Sequence, residues 1–340
     1  MQISILGAGG WGTSLAILLY SNGHRVTLWE YDRHYAKVLA RTRKNKLYLP
    51  NIKIPKDILI THSLSEAVTK QDMLVIAIPT QYVRGVITKL RKINFTDTIF
   101  VSVSKGIENK TLLTVSQIIK NVLKIPDEKI GVLSGPSHAE EVCKSMPTAV
   151  VSASSNEITS KQIQVAFNNS YFRVYSSTDI LGVELGAALK NVIAIGTGIM
   201  DGARLGDNTK AALMTRGITE IARIGVSLGA RMETFFGLSG IGDLIVTCMS
   251  KHSRNRYVGE QIGKGRKLKN ILNGMDMVAE GVETCRSAYQ LIKRYDITAP
   301  IIEAGYKILF QEKDPVKTTY ALMTRDIKPE YDPELFKSIE

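Results

Sequence analysis

Short apolar runs rich in β-branched residues alternate with helical or turn-rich stretches along the first half of the chain. Ile3 to Leu6, Arg25 to Trp29, Met73 to Ile78 and Thr98 to Val103 have the spacing of βαβ units, which predicts a parallel sheet. Further runs at Ile130 to Leu133, Thr148 to Ser152 and Phe172 to Tyr175 bring the expected sheet to about eight strands. Beyond Thr178 the period changes, and apolar residues recur every three or four positions. That pattern predicts helices over Leu181–Gly202, Thr209–Leu228, Ser253–Gly263, Val282–Tyr295 and Pro300–Phe310, with no strand between them. The fold class is therefore α/β: a mostly parallel sheet over 1–178, then an all-helical C-terminal domain over 179–340. A length of 340 residues also favours two domains over one core.

The proportions of apolar (44%) and charged (22%) residues are those of a globular chain and exclude low-complexity and disordered classes. Lys and Arg outnumber Asp and Glu by 44 to 32, a net charge of +12, which points to acidic partners: nucleic acid, a membrane surface or small phosphorylated ligands. The basic clusters Arg41 to Lys46 and Lys264 to Lys269 lie on no recognisable nucleic-acid module and read as solvated faces. Cys143, Cys248 and Cys285 are odd in number and widely spaced, so neither a disulfide framework nor a metal site is expected. A reducing cytoplasm fits best. Ile180 to Met200 is long and apolar enough to test against a membrane. Its Glu184 and Lys190, and its glycines, favour a buried helix over stable membrane insertion.

Gly7-Ala8-Gly9-Gly10-Trp11-Gly12 follows the first strand directly and precedes a helical run. In that context the glycines allow a tight turn, close approach of backbone to a pyrophosphate, and close packing of helix on strand. The first domain is thus expected to be a Rossmann-like dinucleotide-binding domain. The second strand ends in Trp29-Glu30-Tyr31-Asp32-Arg33. A carboxylate there would bind a ribose diol; Glu30 and Asp32 would repel a 2′-phosphate, whereas Arg33 would attract one. Lys105, at the end of another strand, either reaches a ligand at the sheet edge or is a solvated loop lysine. Lys190 stands in a helix apolar on nearly every face. Burial there would lower its pKa toward acid–base work, unless it snorkels or pairs with Glu184. Ser253 precedes a helical run and could cap it, with Arg254 adding bidentate recognition of a phosphate.

Six ordered segments, Gly7 to Thr13, Val103 to Gly106, Leu133 to Ala139, Leu189 to Asn191, Gly240 to Leu244 and Ser253 to Asn255, resemble the motifs of the bacterial NAD(P)-dependent glycerol-3-phosphate dehydrogenases. The resemblance implies interconversion of dihydroxyacetone phosphate and sn-glycerol 3-phosphate with NAD(P)H, supplying phospholipid synthesis. It implies that Lys190 exchanges a proton with the substrate oxygen. Lys105, Gly135, Ser137, Asp243, Ser253, Arg254 and Asn255 would contact substrate. Gly7, Gly9, Gly10, Trp11, Gly12, Tyr31, Asp32, Tyr48, Ala139, Val278 and Glu280 would contact the cofactor, together with Lys105 and Arg254. It allows a homodimer and involves no nucleic acid. Relatives favouring NADPH carry Arg or His where this chain has Tyr31 and Asp32, so the choice between NADH and NADPH stays open. Two alternatives are a related β-hydroxy-acid or 2-keto dehydrogenase, and a non-catalytic dinucleotide sensor that binds nucleic acid.

Overall fold

The computed structural model describes residues 1–275, 277–327 and 329–330. Residues 331–340 of the expected second domain lie outside the described residues. The chain divides into two compact units. One comprises Met1–Ser104 and Val115–Ile180; the other comprises Lys105–Thr114 and the chain from Leu181 onward. A ten-residue excursion of the first half is therefore part of the helical unit, which a contiguous division at 178 does not anticipate.

The first unit is built on ten strands: β1 Gln2–Leu6, β2 Arg25–Trp29, β3 Lys44–Asn45, β4 Leu49–Lys53, β5 Leu59–Thr61, β6 Met73–Ile76, β7 Ile99–Ser102, β8 Ile130–Ser134, β9 Thr148–Ala153 and β10 Phe172–Ser177. Eight of them form one sheet in the order β10-β9-β8-β7-β6-β1-β2-β5, and β3 and β4 form a small hairpin. Every pairing in the large sheet is parallel except β8 with β9. The central strands are buried on both faces, as Ile3, Ile5, Leu74 and Val75 show, which is why they read as continuous apolar runs. Three strands escaped the sequence reading. β5 is too short to show a period, and β3 and β4 lie in or beside the basic run Arg41 to Lys46, where charge hides any alternation.

The strand order reverses direction between β1 and β6, the place where open α/β sheets put ligands. Gly7 turns there with φ +119°, and a Cβ on it would stand 2.6 Å from the Ala77 carbonyl oxygen. The helix that follows, Gly10–Ser21, packs against this turn so closely that a Cβ on Gly12 would lie 1.9 Å from the Gly7 oxygen.

The helical unit is organised around the Ile180–Gly202 helix, most of whose residues are buried. Being surrounded, it needs no polar face, so its hydropathy alone imitates a membrane span. It crosses the Arg254–Gly263 helix with backbones almost touching. A Cβ at Gly198 would meet the Arg256 oxygen at 2.0 Å, and one at Gly259 would meet the Ile195 oxygen at 1.9 Å. Asp201 also accepts from Arg256 Nε at 2.8 Å across the same crossing. The Pro300–Gln311 helix begins on the buried Glu220, whose carboxylate accepts the Ile301 N–H at 2.8 Å. Burial pushes that carboxyl up to about 7, against the backbone donors that favour its charged form. Further helices at Met232–Phe235, Asp243–Met249, Leu268–Asn273 and Pro315–Met323 are too short or too exposed to carry a clear period.

Gly259→Ala should force the crossing helices apart and cost roughly 1–3 kcal/mol or more. Urea denaturation of the purified variant measures this.

Candidate active site

Lys190 projects from the middle of the Ile180–Gly202 helix and is 4% exposed. Its Nζ donates to Asp243 Oδ1 at 2.8 Å and to the Thr247 hydroxyl. The partner is thus Asp243 rather than Glu184. The other oxygen of the same carboxylate, Asp243 Oδ2, accepts from Lys105 Nζ at 2.6 Å. One buried carboxylate therefore holds two ammonium groups. Burial pushes the Asp243 carboxyl up, but the Lys105 and Lys190 charges outweigh it and hold the pKa below the usual value. For Lys190, burial dominates and lowers the amine to about 8, with Lys105 adding to the fall and Asp243 opposing it.

The local chain explains this placement. Asp243 and Thr247 lie one turn apart on the Asp243–Met249 helix, where Thr247 Oγ1 also donates to the Asp243 carbonyl at 2.6 Å. Asn191, next to Lys190, donates through Nδ2 to the Lys105 carbonyl at 3.2 Å. Its Oδ1 accepts from Asn255 Nδ2 at 2.9 Å, and Asn255 Oδ1 accepts the Gly281 N–H at 2.9 Å. This amide relay joins the Lys105 backbone to the starts of two helices. Ser253 caps the Arg254–Gly263 helix, its hydroxyl accepting the Arg256 N–H. Arg254, exposed at the first position of that helix, donates to the Val278 carbonyl at 2.7 Å. Glu280 opens the next helix, Glu280–Arg294.

In the sheet unit, Gly9 has nothing within 4 Å of where a Cβ would be, and the helix beginning at Gly10 has no side-chain cap. Beside them, the buried Trp11 indole nitrogen has no partner among the described residues. Open space, uncapped amides and an unsatisfied donor together fit a phosphate-bearing dinucleotide. Tyr48 and Ala139 border the same loop, since a Cβ on Gly10 would be 3.0 Å from the Tyr48 oxygen and 3.8 Å from the Ala139 Cβ. Tyr31 is 71% exposed, and Asp32 caps the Arg33–Thr42 helix by accepting the Tyr35 N–H. Gly135 turns the chain after β8 with φ +144°, and Ser137 Oγ donates to its carbonyl at 2.9 Å.

Residues 2–160 match the model of the NAD-dependent glycerol-3-phosphate dehydrogenase N-terminus, and 179–320 match that of its C-terminus. The chain belongs to the NAD-dependent glycerol-3-phosphate dehydrogenase family. It is 48% identical to a glycerol-3-phosphate dehydrogenase (NAD(P)+) of Fusobacterium nucleatum over 97% of this chain and 98% of that one. It is 49% identical to one of Syntrophotalea carbinolica, over 98% of this chain and all of that one. The crystal structure of the Coxiella burnetii glycerol-3-phosphate dehydrogenase matches with a TM-score of 0.92 at 34% identity, over 95% of this chain and 99% of that one.

Three residues to which the sequence assigns no role complete the arrangement. Thr247 touches Lys190, and its signal was the four-residue helical spacing from Asp243. Asn191 carries the relay. Asn45 is fully buried and donates to the Ala8 carbonyl and the Thr13 hydroxyl, both at 2.8 Å, which clamps the glycine loop. Asn45 had no sequence signal because it sits within a basic run.

Asp243→Asn should leave two neighbouring cations without a counter-charge and destabilise the fold by roughly 3–5 kcal/mol. It should also move the Lys190 amine below about 8. Thermal denaturation and side-chain 15N NMR measure the two effects.

Proposed function

We propose that this chain interconverts dihydroxyacetone phosphate and sn-glycerol 3-phosphate with NAD(P)H, and that Lys190 is the proton donor and acceptor at the substrate C2 oxygen. The observation that carries the assignment of Lys190 is its buried ammonium, paired with Asp243 and lowered to about 8. An amine of that pKa can give up a proton near neutral pH and take it back, which an ordinary lysine does poorly.

When bound, the reduced nicotinamide supplies the hydride that turns the C2 carbonyl into a carbinol. As negative charge develops on the C2 oxygen, Lys190 delivers its proton there, and Lys105 stabilises the charge electrostatically. Asp243 keeps both amines in place and favours the protonated form of Lys190 before the transfer. Thr247 fixes the direction of the Lys190 head group. Running backward, neutral Lys190 accepts the hydroxyl proton of glycerol 3-phosphate. The substrate phosphate is assigned to Ser253, Arg254 and Asn255, where a capped helix start and a guanidinium lie together. Asn255 has both ends of its amide engaged, so its contribution is to hold this corner as well as to donate its remaining N–H. For Gly135 and Ser137 as substrate contacts the support is the resemblance in motif, and for Val278 and Glu280 as cofactor contacts it is their position in a chain that resembles the family. A cytoplasmic enzyme supplying phospholipid synthesis accords with the same resemblance.

The pH dependence follows from the sign of the shift. Reduction needs protonated Lys190 and should fall as pH rises through about 8; oxidation needs the neutral amine and should rise over the same range. Lys190→Ala should lower kcat in both directions by roughly 10²–10⁴-fold, while binding of the dinucleotide changes little. Turnover within a few-fold of wild type would remove Lys190 from the chemistry. Arg254→Ala should instead raise KM for dihydroxyacetone phosphate by roughly 10–100-fold, the weight of a charge-assisted hydrogen bond. Absorbance of the reduced nicotinamide follows each reaction, and non-phosphorylated ketones serve as the comparison that separates a 2-keto dehydrogenase.

A further inference from the structure

Lys105 opens the ten-residue stretch that belongs to the helical unit, and its ion pair with Asp243 is not all that holds it there. Ile107, fully buried, joins the hydrophobic core of that unit. Beyond it the stretch closes on itself: the Leu112 N–H donates to the Glu108 carbonyl at 2.9 Å, and the Glu108 N–H to the Leu113 carbonyl at 3.0 Å. From this closed turn Asn109 donates through Nδ2 to Glu283 Oε2 of the Glu280–Arg294 helix. Glu283 stands in the first turn of that helix, where the backbone amides favour a carboxylate. Arg286 Nε lies 3.5 Å from the same oxygen, and its guanidinium sits over Phe310, 4.1 Å from the ring centroid.

These contacts close a ring. It runs from the Lys105 carbonyl through Asn191 and Asn255 to the Gly281 N–H. It continues along the backbone to Glu283 and returns through Asn109 to Lys105. The backbone from 105 to 109 is thus tied at both ends to one rigid helix start. Asn191 adjoins Lys190 and Asn255 borders the phosphate corner, so Asn109 and Glu283 form the link that can be altered without touching either. A lysine carries its charge on a flexible four-carbon stem. Its ammonium stays on one carboxylate oxygen only while the root of that stem is fixed, because release regains conformational entropy.

Opening the link frees the 105–109 backbone at one end. The Lys105 ammonium then leaves Asp243 for water part of the time, and Lys190 keeps the carboxylate to itself. The charged and titratable groups around Lys190 are Asp243, Lys105 and Cys248. Withdrawal of the one cation and undivided attention from the carboxylate both favour the protonated amine, so the Lys190 pKa rises from about 8.

We propose that Glu283, acting through Asn109, is a positioning residue that keeps the Lys105 ammonium on Asp243 beside the reacting centre. The inference rests on Lys190 as the proton donor and adds the device that holds its cationic neighbour in range.

The test compares Glu283→Ala, Glu283→Gln and Asn109→Ala in the full chain. Side-chain 15N NMR in mildly acidic buffer reads Lys105 directly. Its ammonium protons should exchange slowly in wild type and in Glu283→Gln, whose amide oxygen still accepts from Asn109, and at least about tenfold faster in Glu283→Ala. In reduction of dihydroxyacetone phosphate, Glu283→Ala should lower kcat by roughly 3–30-fold. It should also move the fall in activity upward from about pH 8 by at least about half a unit. Glu283→Gln should recover most of both. Asn109→Ala should match Glu283→Ala, and the double variant should lose no more than about twofold further, since all three remove the same bond. If Glu283→Ala does not fold, Asn109→Ala against wild type supplies the same readings. A lower Tm with Lys105 exchange and pH profile both unmoved makes Glu283 a structural part only and overturns the proposal, as do fully additive losses in the double variant. A wild-type profile with no fall near pH 8 overturns the role of Lys190 instead, and Lys105 exchange, which needs no turnover, then decides the role of Glu283 by itself.

Discussion

A carboxylate shared by two buried or half-buried lysines sets the terms for the helical unit. Asp243 is 1% exposed, and a lone charge at that depth would be unstable. With Lys105 on one oxygen and Lys190 on the other, its cost is offset and one net positive charge remains. In the proposed reaction that residual charge faces the developing alkoxide. The arrangement also explains why the Lys190 pKa is lowered to about 8: this amine is the more deeply buried of the two, and its neighbour is another cation.

Holding three such groups in register demands rigid surroundings, and these come from backbone contact more than from side-chain filling. The Ile180–Gly202 and Arg254–Gly263 helices approach until only glycine fits at the crossing, which leaves little freedom for either to slide. The Asn191–Asn255–Gly281 relay then ties the Lys105 backbone to the same pair and to the start of the Glu280–Arg294 helix. In the sheet unit, Asn45 does the corresponding work for the glycine loop with one amide and no charge. Both devices are buried, with the oxygen and the nitrogen of every side-chain amide hydrogen-bonded, the condition under which polar groups specify a structure rather than weaken it.

What could be read from the amino acids followed from local pattern. The central strands, the glycine loop and the long helices were visible because period and composition act over neighbouring residues. Lys190 was visible because a charge in an apolar helix is conspicuous, and Ser253 because a serine before a helical run is a cap. The partner of Lys190 was not, since Asp243 is distant in sequence and reaches it only through tertiary packing. Asn45, Thr247 and Asn191 were missed for a related reason: an amide or hydroxyl reveals its importance only once its hydrogen-bond partners are known. β5, with three residues, is held by its neighbour β2 rather than by any preference of its own.

Lys105 belongs, with the stretch to Thr114, to the helical unit, although the chain around it builds the sheet. The boundary between the units is therefore not a single point at which the gene could be cut. A helical half encoded from residue 181 onward would lack one of the two lysines that its own Asp243 carboxylate holds. Recombination that exchanged one half for that of another dehydrogenase would carry Lys105 away with the sheet. The two halves are in this respect obliged to be inherited together, and modular reuse of the fold requires a donor sheet that brings its own lysine at the same strand end.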